Sequence, residues 1–277
     1  MKNFLLRTWT GLVYVIVITV GILGNSYTFS ALFSIVTVVC LWEFYHLVNA
    51  QKRTQINAWY NCFGGWILFV SSYLYASGIT SHAIFLAYLA YIVLVFVSEL
   101  YEKKQDPITH SAYIFLGHCY ITLPFSLLNR LAFSVDDTGA IHYYPALILA
   151  LMVFIWMNDT GAYLVGSLFG KHRLFERISP KKSWEGFFGG LLLAVAVSFL
   201  FAHFEPDISA FHWIGLAVVV AIFATWGDLV ESLIKRTLEV KDSGNILPGH
   251  GGFLDRFDSL LLAVYALLFY VQLFIRN

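Results

Sequence analysis

Charged side chains punctuate this chain so sparsely that the runs between them set its architecture. Arg7 to Glu43 carries no charge in between, and Gly24-Asn25-Ser26 divides that run into two apolar segments joined by a tight turn. Thr54 to Ser98 is likewise uncharged and breaks near Ser77-Gly78, and Pro107 to Asn129 follows as one run. Thr138 to Phe169 holds a single acid, Asp159; the runs Gly186 to Phe204, Ile208 to Gly227 and Ser259 to Ile275 complete the series. A helix needs roughly 20 apolar residues to cross the hydrocarbon core of a bilayer. The pattern therefore predicts an all-α, polytopic integral membrane protein with about nine transmembrane helices. With no long linker, low-complexity tract or internal repeat, residues 1–277 read as one membrane domain. Residues 1–142 (helices 1–5) form its scaffold, and residues 143–277 (helices 6–9) carry the polar features.

Composition agrees with lipid as the bulk solvent. The 277 residues are 59% hydrophobic and 12% charged, whereas a soluble domain needs about a quarter of its residues charged. Net charge is zero, yet the cations are sorted. With a cytosolic N-terminus and nine spans, every Lys and Arg except Arg130 and Arg276 falls on the cytosolic side. An even helix count would scramble that sorting, so the C-terminus is expected outside. The first apolar segment lacks a small-residue cleavage site, which argues against a removed signal peptide. Together with the compact length, this points to a bacterial plasma membrane, with the chemistry facing the cytosol. Cys40, Cys62 and Cys119 sit singly inside apolar runs, a spacing that suits neither a disulfide framework nor a zinc site. They read as buried packing residues.

Polar chemistry concentrates in the second half. The first five helices offer one intramembrane acid, Glu43, with His46 on the same helical face; a residue that snorkels or is satisfied by a partner near the cytosolic helix end is the plain reading. Asp159, with Asn158 beside it, is different. Ten residues before Phe169, at about 1.5 Å rise each, it falls near mid-bilayer, where carboxylates usually line a cavity or meet a partner. The following loop, KHRLFERISPKKSWEG, gathers five cations ahead of a helix start. Ser179-Pro180 has the form of an N-cap followed by Pro at the first helical position, with Ser183 as the alternative cap. A helix N-terminus beside Lys181 and Lys182 attracts phosphate; contact with anionic headgroups is the other reading.

The last polar segment is the most specific. Asp228, Glu231, Ser232 and Lys235 recur at i, i+3, i+4 and i+7 and so stack along one helix face. SGNILPGHGG has the composition of a turn, and its glycines let backbone amides approach a phosphate closely. Asp255 and Asp258 follow at i and i+3, at the expected start of the final helix. Carboxylates converging near cations suit a hard divalent ion bridging a polyphosphate, since Mg²⁺ prefers oxygen ligands. A structural ion-pair network with Arg256 or Lys235 is the alternative.

The stretch from Ser232 to Asp258, with Lys235-Arg236, Lys241-Asp242, Gly244, Leu247-Pro248, His250-Gly251-Gly252, Asp255-Arg256 and Asp258 in place, resembles the signature of the phosphatidate cytidylyltransferases, or CDP-diglyceride synthetases. NDTGAY at Asn158 to Tyr163 and GKHR followed by SPKKSWEG are also similar to that family, so the resemblance is strong from Asn158 to Asp258. It implies a nine-helix membrane enzyme that condenses CTP with phosphatidic acid to give CDP-diacylglycerol and pyrophosphate, with Mg²⁺ required. It further implies that Asp228 and Asp255 act at a metal centre and that Ser232 and Lys235 contribute to the site. Lipid would enter from the bilayer and nucleotide from the cytosol.

On this reading Asp228 and Asp255, joined by Asp258, hold the metal. Lys235, Lys181, Lys182, Ser183, Arg236, Lys241, His250, Gly251, Gly252, Asn158 and Asp159 are the candidate substrate-binding groups. No covalent nucleophile is needed, and the phosphatidate oxygen is already ionised, so no general base is required either. A second, monovalent cation and a homodimer stay open; no nucleic acid is expected. Two rivals remain: a related CTP-dependent lipid kinase or cytidylyltransferase with another lipid acceptor, and an anion transporter. Transporters tend to carry paired broken helices in two halves, which the crowding of charge into one half opposes.

Overall fold

The computed structural model describes residues 2–50, 54–102, 106–244, 246 and 251–276, with side chains from Thr8 onward. Among these residues the chain is mostly helical. Six helices are long and apolar enough to cross a membrane: Ser26–Ala50, His82–Tyr101, Pro107–Ala132, Ala146–Phe169, Trp184–Phe204 and Ala210–Thr237. Shorter apolar helices cover Thr8–Gly24 and Asp258–Phe274. The protein is an integral membrane protein, and its outward faces are dressed for lipid. Helix α4 (Leu86–Tyr101) buries only Tyr91 and Val95 and exposes Leu86, Leu89, Val93, Phe96 and Leu100.

The polypeptide forms two compact units. The first comprises Met1–Pro145 with the later segment Asp242–Arg256. Its helices are α1 (Lys2–Gly24), α2 (Ser26–Ala50), α3 (Ala58–Ala76), α4, α5 (Pro107–Gly117) and α6 (Leu123–Ala132). The expected breaks at Asn25 and Ser77-Gly78 are present. Asn57 caps α3 through its side chain, and Asp106 caps α5 ahead of Pro107. Between α5 and α6 the helix continues through a wide turn, His118–Thr122, in which Leu123 N donates to His118 O. Pro124 explains it: proline has no N–H for the carbonyl four residues back, and its ring needs room there.

A hairpin of β1 (Phe133–Val135) and β2 (Ile141–Tyr143) closes this unit. Its core is aromatic, with Phe29, Phe33, Phe44, Tyr45, Phe69 and Phe125 fully buried. Among the buried polar groups, Tyr91 Oη donates to Asn61 Oδ1 at 2.6 Å and lies 2.9 Å from His118 Nε2. Cys40 and Cys62 are buried as expected, but Cys119 is exposed on the wide turn.

The second unit comprises Ala146–Lys241 with Phe257–Asn277. It contains α7 (Ala146–Phe169), the hairpin β3 (Arg173–Phe175) and β4 (Ser179–Ser183), α8 (Trp184–Phe204), α9 (Ala210–Thr237) and α10 (Asp258–Phe274). Small residues let these helices come close, as is common where lipid removes the hydrophobic drive for association. Gly161 of α7 meets α8 so tightly that an added Cβ would stand 2.6 Å from Gly189 O and 2.9 Å from Gly190 Cα. Trp213, Ala217, Val220, Ala221 and Ala224 of α9 are fully buried, together with Leu261 and Val264 of α10.

Two local expectations are corrected. Ser179-Pro180 does not open a helix: residues 179–183 pair as β4 with β3, with Arg173 opposite Ser183 and Phe175 opposite Ser179. The helix starts after Ser183, whose hydroxyl accepts from Gly186 N at 3.1 Å. Asp255 lies in a short 3₁₀ turn, Leu254–Arg256, and only Asp258 belongs to the final helix.

Candidate functional site

The second unit holds a cavity of about 510 Å³. Helix α7 lines it with Asn158, Asp159, Ala162 and Tyr163; the β3–β4 hairpin with Arg173, Lys181 and Lys182; α8 with Gly186 and Phe187; and α9 with Thr225 and Asp228. Each part follows from the local sequence. Helix α7 runs unbroken past Asp159, which is exposed towards this hollow, while its neighbour Asn158 is buried and donates to Thr225 Oγ1 at 3.4 Å. The hairpin delivers its lysines beside the first turn of α8. Ser183 caps that turn, so backbone N–H groups of an α8 terminus border the same space.

Charges of both signs meet here. Lys182 Nζ lies 2.6 Å from Asp228 Oδ2 and donates to Thr225 O at 3.4 Å. Asp228 also accepts from Ser232 Oγ at 3.2 Å, one turn further along α9. One turn beyond, Lys235 pairs with buried Glu231. The face Asp228, Glu231, Ser232, Lys235 therefore exists as a ladder of i, i+4 contacts. Beside it, α10 begins so near α9 that a Cβ on Gly227 would stand 2.6 Å from Asp258 O. Asp258 is close enough to Asp228 and Asp159 to feel both charges, and Lys235 offsets them.

Among the expected substrate-binding groups, Asn158, Asp159, Lys181, Lys182 and Ser183 are gathered around this cavity together with Asp228. Arg236 and Lys241 are exposed beyond it; the guanidinium of Arg236 reaches Val240 O at 3.5 Å, finishing the end of α9. Arg173 and Thr225 join the lining without having been singled out in the sequence. Arg173 stands in the GKHR stretch and was therefore within reach, whereas Thr225 gave no signal.

The first unit holds the other half of the signature. Asp255 Oδ2 accepts from Gly252 N at 2.7 Å and from Ser243 N at 3.0 Å, and Gly251 adopts a φ of +85° that favours glycine. His250 lies outside the described residues. Glu43 on α2 is buried at 2% exposure and accepts from Phe253 N, Leu254 N and Ser243 Oγ. Of the two plain readings, the structure shows the partnered one: Glu43 is satisfied by this loop and does not snorkel. Glu99, Glu102 and His110 also cluster in this unit closely enough to share a cation, and His110 Nδ1 lies within hydrogen-bond distance of Glu99.

A family model described as "Cytidylyltransferase family" matches residues 5–274. A phosphatidate cytidylyltransferase of Staphylococcus aureus (strain COL) is 38% identical over 178 residues, which is 64% of this chain and 64% of that protein. The Staphylococcus epidermidis protein of the same name (strain ATCC 12228) is 41% identical over 165 residues, 52% of this chain and 63% of that protein. That of Staphylococcus haemolyticus (strain JCSC1435) is 42% identical over 148 residues, covering 53% and 55%. The matched region thus spans between 55% and 64% of the length of these relatives.

Proposed function

The chain belongs to the cytidylyltransferase family, and from that premise we propose that it transfers the cytidylyl group of CTP to phosphatidic acid, giving CDP-diacylglycerol and pyrophosphate. One observation carries the reading. A single hollow is bordered by Arg173, Lys181 and Lys182 and by the carboxylates of Asp159 and Asp228. Phosphates require the first set, and a divalent cation the second. In the proposed reaction a phosphatidate oxygen attacks the α-phosphorus, the bond to the β-phosphate breaks, and pyrophosphate leaves. Both reactants are anions, so catalysis is mostly positioning and charge neutralisation.

The residues fit a divalent cation by their chemistry. Asp228, Asp258 and Asp159 interact electrostatically and offer only oxygen donors, the set that Mg²⁺ prefers. When bound, the ion supplies Lewis-acid polarisation of a phosphoryl oxygen and neutralises charge. The remaining work belongs to side chains. Lys182 exchanges Asp228 for a substrate phosphate; Lys181 and Arg173 bind further phosphate oxygens; Ser183 keeps the first N–H groups of α8 aimed at the hollow. Ser232 holds Asp228 in place, and Lys235 moderates the crowding of carboxylates.

We further propose nine spans, the six long apolar helices together with α1, α3 and α10, a cytosolic N-terminus, an external C-terminus, and a bacterial plasma membrane with the site open to the cytosol. The positive-inside sorting of Lys and Arg supports this topology.

The test is purified protein in lipid vesicles with Mg²⁺, phosphatidic acid and CTP labelled in the cytidine. Label entering the lipid in equal amount to released pyrophosphate is the expected result. Label recovered as CDP would replace transfer with a kinase reaction, and no product under any acceptor would end the proposal.

A further inference from the structure

Glu43 stands 200 residues before its hydrogen-bond partner Ser243, on a helix that the sequence assigns to the scaffold. Its carboxylate is fully engaged by one loop. Oε1 accepts from Phe253 N at 2.9 Å, and Oε2 from Leu254 N at 2.7 Å and Ser243 Oγ at 3.2 Å. Two consecutive backbone N–H groups thus grip the two oxygens as a fork. A carboxylate is an acceptor at every position, whereas the amide of a glutamine would turn an NH₂ towards one of these donors.

The glycines of the loop are shaped by the same side chain. A Cβ on Gly244 would overlap Glu43 Oε1; one on Gly252 would stand 2.9 Å from that oxygen and 2.6 Å from Gly244 N. From the other side, Asp255 Oδ2 binds Ser243 N and Gly252 N. Ser243-Gly244 and Gly252-Phe253-Leu254 are therefore clasped between two carboxylates. Only residues without a side chain fit at Gly244 and Gly252: the Glu43 carboxylate fills the space at the first, and Ser243 Oγ, which that carboxylate holds, fills it at the second.

We infer that Glu43 is a positioning residue for nucleotide binding: it holds Ser243-Gly244 and Gly252-Phe253-Leu254 in the conformation that CTP binding requires. The inference rests on the proposed cytidylyl transfer for the identity of the ligand, but not for the hold of Glu43 on the loop. Glu43 itself touches no substrate. A neutral isostere should loosen the loop and weaken nucleotide binding, while lipid binding stays intact.

The experiment uses the full chain in vesicles with Glu43→Gln, Glu43→Asp and Ser243→Ala. Hydrogen exchange reads the amides of Phe253 and Leu254, equilibrium dialysis reads CTP binding, and steady-state rates give separate KM values for CTP and phosphatidic acid. Glu43→Gln should speed exchange at both amides and raise the CTP Kd and KM about 10-fold or more with the phosphatidic acid KM unchanged. Glu43→Asp should recover part of each. Ser243→Ala leaves the carboxylate in place and removes one donor, so a smaller shift of the same sign covers the case in which Glu43→Gln misfolds. Unchanged exchange in Glu43→Gln, or faster exchange with wild-type CTP binding, would overturn the inference. If wild-type protein makes no CDP-diacylglycerol, the proposed reaction fails, while exchange and CTP dialysis still decide the role of Glu43.

Discussion

Lys182→Met separates two jobs that one ammonium performs in the proposed site. Its Nζ lies 2.6 Å from Asp228 Oδ2, and the two side chains are 25% and 32% exposed. The pair falls between a surface ion pair, worth about 0–1 kcal/mol, and a well-made charge-assisted hydrogen bond, worth about 1.5–3 kcal/mol. A hold on Asp228 of about 1–2 kcal/mol is the fitting magnitude. A cation arriving at Asp228 has to displace that ammonium. Methionine keeps the apolar stem and removes the charge, so divalent-ion binding without nucleotide should tighten about 5- to 30-fold, since 1.4 kcal/mol is tenfold. Nucleotide binding should move the other way, with a CTP KM raised about 10-fold or more, because a phosphate loses a charged donor. Mn²⁺ titration followed by electron paramagnetic resonance reads the first effect, and steady-state rates at saturating Mg²⁺ read the second. Ion binding that weakens or stays constant would mean that Lys182 and the cation do not compete for Asp228, and the reasoning would collapse.

Asp255→Asn tests the metal-ligand role that the sequence expects of Asp255 against its observed hold on Ser243 N and Gly252 N: a ligand role predicts turnover lost by about 100-fold or more at all Mg²⁺ concentrations, whereas a loop-holding role alone predicts faster amide exchange and a CTP KM effect. In the β1–β2 hairpin, hydrogen bonds from the Thr138 hydroxyl and then from His142 and the Ala140 amide hold the Asp136 carboxyl well below the usual carboxylate range. That stabilisation is fully present above the unfolded value of about 3.9 and is lost as pH falls through the depressed folded value. Asp136→Asn should abolish this acid dependence and speed exchange at Thr138 and Ala140 already at neutral pH, which hydrogen exchange checks. For topology, single cysteines at exposed Asp137 and Glu176, in a chain whose native cysteines are replaced by serine, should label from opposite sides of a sealed vesicle, Glu176 from the cytosolic one; labelling from the same side would refute the proposed orientation.

The helices were readable because lipid-facing sequence is one-dimensional: a break such as Gly24-Asn25 or Ser77-Gly78 interrupts the apolar run at the point where the helix ends. The face of α9 was readable for a similar reason, since Asp228, Ser232, Glu231 and Lys235 contact one another within one helix. What escaped depends on partners far along the chain. Strand β4 is five residues long and owes its form to pairing with β3, which overrides the helix-start chemistry of Ser179-Pro180. Asp255 was expected in the final helix, but its carboxylate turns to the amides of Ser243 and Gly252 and belongs to a 3₁₀ turn. Glu43 gave the least away, because a lone acid near a helix end looks the same whether it faces water or binds backbone N–H groups of a distant loop. Cys119 shows the converse: an apolar run does not tell which of its faces the neighbouring helices cover.

The clasp on Glu43 also sets a timetable for biogenesis. The ribosome finishes α2 long before it reaches Ser243, 200 residues later. At about 5–20 residues per second, the carboxylate waits roughly 10–40 s for the donors it will keep. An uncompensated acid in an apolar helix is costly, so the nascent segment has to shelter it at the interface or in the insertion machinery until the penultimate stretch emerges. Damage to that late stretch should therefore be felt first in the earliest helices, as premature clearance of a half-assembled protein.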